Sequence, residues 1–320
     1  MRAGRKVEGR RSKVEVFVMN VAELIESVRR VEVRTNRLVN DTMVGAYQSH
    51  FKGRGMDFEE LREYIPGDEV RDIDWNVTYR MGRPFVKRYR EERELAMLLA
   101  VDISASSAFG SWRRTKREFA AEIAATLAIS AARSSDKVGL LLFSDQVELF
   151  LPPRKGRRHI LRLIRETLSF QPKHRATNIP AGLAFLNHVL HRRSIVFLLT
   201  DFLHNLGAAA AAGRDTVQEL GLTNARHDLV CLHLHDPREG QLPPAGLLTI
   251  EDAETGELLE VDSNRAAVRN KYAAINAERL AELDRTLRRA GVDTLRFSTA
   301  ESFAQTLQRF FETRRGRRRG

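Results

Sequence analysis

Asp102, Ser104 and Ser106 stand in the stretch LAMLLAVDISASSAFG, residues 95–110, where an apolar run stops at a carboxylate and hydroxyls follow at alternate positions. These are hard oxygen donors with no nitrogen or sulfur among them, a set suited to magnesium or manganese. A strand that ends in Asp with serines after it is also an ordinary turn and helix cap, so the set gains weight only from what stands beside it. Two later stretches add to it. SIVFLLTDF, residues 194–202, is a second apolar run and reaches Asp201. ATNIPAGLAFL, residues 176–186, puts Thr177 just before a helical apolar pattern with Pro180 in its first turn.

The positions of these residues depend on the elements around them. Short apolar runs bounded by polar residues read as buried parallel strands, and their ends fall at the carboxyl edge of a sheet, where open α/β folds bind ligands. VGLLLF (138–143) is another such strand, with 147–151 pairing to it as an edge hairpin across Ser144-Asp145-Gln146. Helical patterns cover 113–135, 157–168, 178–191 and the alanine-rich 207–222, and residues 227–235 form a further strand. Residues 236–263 read as an excursion containing a hairpin that turns at Glu254-Thr255-Gly256-Glu257. Asn264 is expected to cap a long helix to Arg289, ended by Gly291, before a last strand (292–297) and helix (301–311). Strands alternating with helices require a parallel sheet covered on both faces. The expected fold is therefore α/β, a doubly wound, mostly parallel, Rossmann-type sheet with a small turn-rich element before it.

Asp102-x-Ser104-x-Ser106, then Thr177, then Asp201, resembles the von Willebrand factor A fold and its metal-ion-dependent adhesion site, and all five positions match. The resemblance implies that these five residues hold Mg2+ or Mn2+, with the hydroxyls as direct ligands and an open position for an acidic residue of a protein ligand.

Residues 44–94 are punctuated by Gly53, Gly55, Gly67 and Gly82, which favours short strands and turns. Their charges, among them Arg62, Arg71, Arg80, Asp68, Asp72 and Asp74, are expected to form an ion-pair network holding this element to the rest, and their spacing is not that of a calcium loop. The string Arg62-Glu63-Tyr64, Pro66-Gly67-Asp68, Arg71, Ile73-Asp74-Trp75 and Arg80 resembles the bacterial domain-of-unknown-function family fifty-eight. That likeness runs from about Val44 to Phe311, and Ser107 departs from it where many relatives place Met. It implies work beside a MoxR-type AAA+ ATPase.

The chain has 320 residues with 42% hydrophobic content, enough for a buried core. Its net charge of +11 is concentrated in the tails: residues 1–13 carry six basic groups and one acid, and residues 314–320 carry five basic groups and no acid. Such tails read as solvated rather than as a specific nucleic-acid surface. The expected division is a basic tail over 1–19, a helix and turn-rich element over 20–94 with its helix beginning at Val21 behind Asn20, a main domain over 95–313, and a basic tail over 314–320. The first element is expected to pack on the domain and to pair with the hairpin near 249–261. A single cysteine, Cys231, lies in an apolar run and reads as a packed thiol in a reducing compartment. No stretch reaches the roughly 20 apolar residues of a membrane helix, and residues 14–24 are too interrupted for a signal peptide, so the expected location is the cytoplasm. His233 and His235 share one face of a strand and read as filler, since no third metal ligand is spaced to join them.

No glycine-rich phosphate loop, nucleophile elbow or His-Glu-x-x-His is present. Two functions from different classes follow. The first is a metal-dependent protein-binding adaptor that is not itself an enzyme, and the alternative is a metal-dependent phosphoester hydrolase.

Overall fold

A computed structural model describes residues 21–39, 44, 47, 56–91, 95–112, 114–203 and 215–316. The central sheet has six strands: β3 (Ala96–Asp102), β4 (Lys137–Phe143), β5 (Val147–Arg154), β6 (Ile195–Thr200), β7 (Asp228–His235) and β10 (Asp293–Ser298). Their spatial order is β10-β7-β6-β3-β4-β5, all parallel except the edge strand β5. Chain order reverses between β3 and β6, which makes the carboxyl ends of those two strands the switch point of the sheet. This is the doubly wound von Willebrand factor A-like order.

Period-two alternation divides the core between two faces. On β3, Met97, Leu99 and Val101 join one apolar cluster and Leu98 and Ala100 the other. Helices α3 (Lys116–Arg133), α4 (Arg157–Ser169) and α9 (Ala304–Gly316) cover the first face. Helices α5 (Ile179–Val189), α6 (Thr216–Arg226) and α8 (Ala266–Arg289) cover the second. Gly182 on α5 lets that helix close on the Phe143 ring, since a Cβ there would lie 3.2 Å from it. Helix α1 (Val21–Leu38) lies outside α3, with Val31 buried and Arg34 on Glu122 at 2.8 Å. The expected Asn20 cap and residues 207–214 of the alanine-rich stretch fall outside the described residues.

Residues 56–91 form the turn-rich element: β1 (Met56–Glu63) pairs antiparallel with β2 (Phe85–Glu91), and α2 (Trp75–Met81) lies between them in sequence. Among the described residues β1 and β2 pair only with each other as strands, so the expected pairing with the later hairpin does not form. The hairpin makes its own two-stranded sheet, β8 (Leu247–Glu251) with β9 (Leu258–Asp262), turning through Gly256 at φ 75°. Of the charges expected to form a network, Arg62 pairs with Asp68 at 2.6 Å and Asp74 with Lys87 at 2.9 Å. Asp74 also caps α2, while Arg71 and Arg80 are exposed.

Two further expectations change. Asn264 does not cap α8, because its side chain accepts from the Gly246 amide and ties down the foot of the hairpin instead. Arg314, counted with the basic tail, sits in α9 and pairs with Asp228 at 2.8 Å and Asp293 at 2.6 Å. Cys231 is a fully buried thiol, and burial pushes its pKa up.

Candidate functional site at the carboxyl edge

Apolar β3 and β6 end one residue apart in their chemistry: Asp102 closes β3, and Asp201 follows Thr200 at the end of β6. Because the strands are neighbours and parallel, both carboxylates emerge at the same edge. Asp102 accepts from the Ser104 amide at 2.9 Å and from the Thr200 hydroxyl at 2.7 Å. Burial and the nearby Asp201 charge push its carboxyl up to about 7, against the pull of those hydrogen bonds. The turn after Asp102 is a short 3-10 helix, Ala105–Ala108, which brings Ser104 Oγ and Ser106 Oγ to 3.2 Å. Ser106 also bonds to Asp201.

The third contribution arrives through the loop before α5. The Ala105 amide donates to Arg175 O at 2.9 Å, which lays residues 175–177 against the serine turn. Asn178 caps α5, accepting from the Ala181 amide, with Pro180 in its first turn. Thr177 Oγ1 is buried and completes no hydrogen bond of good geometry, while Glu254 from the hairpin turn lies against it. All five residues singled out by spacing therefore meet at one edge. Among the described residues no cluster of three or more His, Cys, Asp or Glu groups has metal-binding geometry. Whatever this edge can bind rests on hydroxyls and two carboxylates.

The backbone after β6 is strained. Phe202 is buried and holds φ 51°, a left-handed conformation that costs a bulky residue energy. Its amide donates to Thr200 Oγ1 and its carbonyl accepts from Arg279, so both sides of the strained residue are tied down. The Leu203 amide in turn donates to Asp201 Oδ1 at 3.0 Å, which aims that carboxylate.

Spacing alone misses Lys116. A capping box, Thr115 with Glu118, starts α3 and places Lys116 at its first residue. The side chain is only 2% exposed, with Nζ 2.5 Å from Asp201 Oδ2 and also bonded to Glu239 Oε1. Burial works against the ammonium, but the two carboxylates outweigh it and raise its pKa. Burial likewise opposes the charge on Asp201, yet Lys116 holds that carboxyl below the usual range. Glu239 belongs to a one-turn helix, α7 (Pro237–Gly240), fixed where Asp236 accepts from the Ser111 amide at 2.9 Å and from the Thr299 hydroxyl at 2.8 Å. The one signal in the sequence is the capping box Thr115-x-x-Glu118, which marks Lys116 as the first residue of a helix without saying what its side chain meets.

Above these residues opens a cleft of about 760 Å³. Ser106 and Lys116 form part of its floor, Phe109, Leu242, Ile250 and Tyr272 supply apolar wall, and Glu239, Glu251, Asp252 and Glu254 make it acidic. Burial raises the pKa of both Glu239 and Glu254. His233, under Phe202 at a ring separation of 5.8 Å, is buried with no hydrogen bond to either ring nitrogen. Burial and the neighbouring His235 lower its pKa to about 3, so the ring is neutral.

The model of a family described as "Protein of unknown function DUF58" matches residues 60–282. An uncharacterized protein of Mycobacterium tuberculosis, Rv1480, is 28% identical over 296 residues, 92% of this chain and 90% of its own length. The Mycobacterium bovis protein Mb1516 matches to the same extent. Among solved structures, an aerotolerance-related membrane protein from Bacteroides fragilis is 15% identical, covering 70% of this chain and 99% of that one, with a TM-score of 0.45. BatB from Bacteroides thetaiotaomicron is 14% identical over 69% of this chain and 98% of its own, with a TM-score of 0.44. Both are distant likenesses from which no function follows. Among the described residues of this chain no helix is long and apolar enough to cross a membrane.

Proposed function

This chain belongs to the family described as protein of unknown function DUF58, and from that premise we propose a protein-binding adaptor whose sheet edge holds magnesium or manganese and takes an acidic side chain from a partner. The observation that supports this reading best is the meeting of the Ser104 and Ser106 hydroxyls, 3.2 Å apart, with the buried carboxylates of Asp102 and Asp201 at the ends of two neighbouring parallel strands. That is a hard-oxygen set, to which the loop before α5 adds Thr177, and it fits such an ion. Asp102, Ser104, Ser106, Thr177 and Asp201 would hold it. Bound there, the ion supplies positive charge and a coordination position that a carboxylate can fill.

The chain's own residues set the rest. Leu203 and Ser106 orient Asp201, Thr200 orients Asp102, and Phe109 and Tyr272 offer apolar surface to whatever enters the cleft. Carboxylates outnumber basic groups around that cleft, so an acidic partner side chain meets repulsion until a divalent charge is present. Docking would then depend on the ion. The same repulsion weighs more heavily on a doubly charged phosphoester, which leaves the hydrolase reading the weaker one. The partner we infer is a MoxR-type AAA+ ATPase, in protein maturation or remodelling in the cytoplasm.

The test is association of the purified chain with such an ATPase, measured with Mg2+ and with chelator, for wild type and Ser104→Ala. Loss of the central contact should weaken binding by about 30-fold or more in both cases. Equal association with chelator present would contradict the reading.

A further inference from the structure

Lys116 occupies a place that the proposed site also needs. Its ammonium is buried at 2% exposure and lies 2.5 Å from Oδ2 of Asp201, one of the five candidate ligands. It is not a stray surface chain: the Thr115–Glu118 box fixes the helix start, and the Lys116 amide donates to Phe109 O at 2.9 Å. Asp102 has no such neighbour and is satisfied by a backbone amide and a threonine hydroxyl. The ammonium therefore cancels one of the two carboxylates that would draw a divalent ion into the edge. A second carboxylate, Glu239, accepts from the same ammonium and belongs to a separate element, α7.

We propose that Lys116 is a resident cation that competes with a divalent ion for Asp201, with Glu239 as the seat that keeps the ammonium when an ion enters. The inference rests on the metal-binding reading above and adds what controls it. Two cations sharing one buried carboxylate repel strongly, because little water screens them. Filling the site thus means moving the ammonium off Asp201. Affinity for the ion is set by that movement as much as by the five ligands. Without the ion, Lys116 keeps the edge neutralised and folded.

Calorimetric titration with Mn2+ tests this on wild type, Lys116→Met and Glu239→Gln of the full chain. Methionine keeps the length and apolar stem but not the charge, so Lys116→Met should bind Mn2+ at least about tenfold more tightly than wild type. Glu239→Gln removes the alternative seat, retains the hydrogen-bonding shape, and should bind at least about tenfold more weakly. Should Lys116→Met fail to fold, the glutamine variant still decides, and affinity equal to wild type would overturn the competition. A wild-type affinity for Mn2+ equal to or greater than that of a folded Lys116→Met would overturn it too, while leaving the metal reading in place. Absence of binding in both wild type and Lys116→Met would overturn the metal reading itself and the competition with it.

Discussion

At the amino edge of the central sheet, Asp136, Asp228 and Asp293 lie beside the starts of β4, β7 and β10, and each is taken up by a partner from a distant element. Asp136 accepts from the Tyr47 hydroxyl at 3.0 Å and from the Leu95 amide at 3.1 Å, while Arg314 bridges Asp228 and Asp293. At the carboxyl edge, Asp102 and Asp201 lie as deep as Asp136 and Asp228 but face each other, a row of hydroxyls, one lysine and an open cleft. The residue types are the same and their outcomes differ. At one edge the chain closes its own charges and fastens Tyr47 and α9 to the body. At the other it leaves like charges together and holds Phe202 in a strained conformation, an arrangement that costs stability and so points to a ligand.

Removing a partner from the amino edge should have the largest effect. Arg314→Met leaves Asp228 and Asp293 without their shared cation, and breaking a pair this enclosed should cost about 3 kcal/mol in urea unfolding. Its affinity for Mn2+ should not change. A loss of metal affinity there would mean that the two edges are not separate in role.

His233 sharpens the contrast on the other side, since it is buried near the site without a partner. Its folded pKa is depressed from 6.5 to about 3, so the stability tied to its neutral form is full above pH 6.5 and is lost as pH falls toward 3. Asp102, with its pKa raised, works in the opposite direction over much of that range, so the comparison must be made between variants. Measured against wild type, His233→Phe should gain about 2 kcal/mol in relative stability between pH 6.5 and about pH 5. A pH-independent difference would show that the ring is not held neutral.

A smaller effect of opposite sign to that of Arg314 is expected at Asp102. Asp102→Asn removes a buried charge that sits against Asp201, and should raise stability at neutral pH without added metal by about 1 kcal/mol. It should also abolish Mn2+ binding. Strong destabilisation would make Asp102 a structural acid like Asp228 and would erase the difference between the edges.

Much of the carboxyl edge was legible in the sequence for a physical reason. Short apolar runs that stop at Asp102 and just before Asp201 read as buried parallel strands, and parallel strands deliver their ends to one edge. Thr177 followed from its place before a helix that Asn178 and Pro180 begin. Lys116 and Glu239 were not legible, because a lysine at a helix start reads as solvated and an excursion such as 236–263 gives no sign of where it folds back. The same limit applies to Arg314, which begins a basic run and whose partners lie 86 and 21 residues away. Asn264 failed as a cap because the hairpin foot competes for its side chain.

The most direct test of the central claim is to soak crystals of the full chain in Mn2+ and map its anomalous scattering. The account predicts one peak among the oxygens of Asp102, Ser104, Ser106, Thr177 and Asp201, with the Lys116 ammonium moved away from Asp201 toward Glu239. No peak at that edge, with Lys116 still 2.5 Å from Asp201 as it is here, would contradict it.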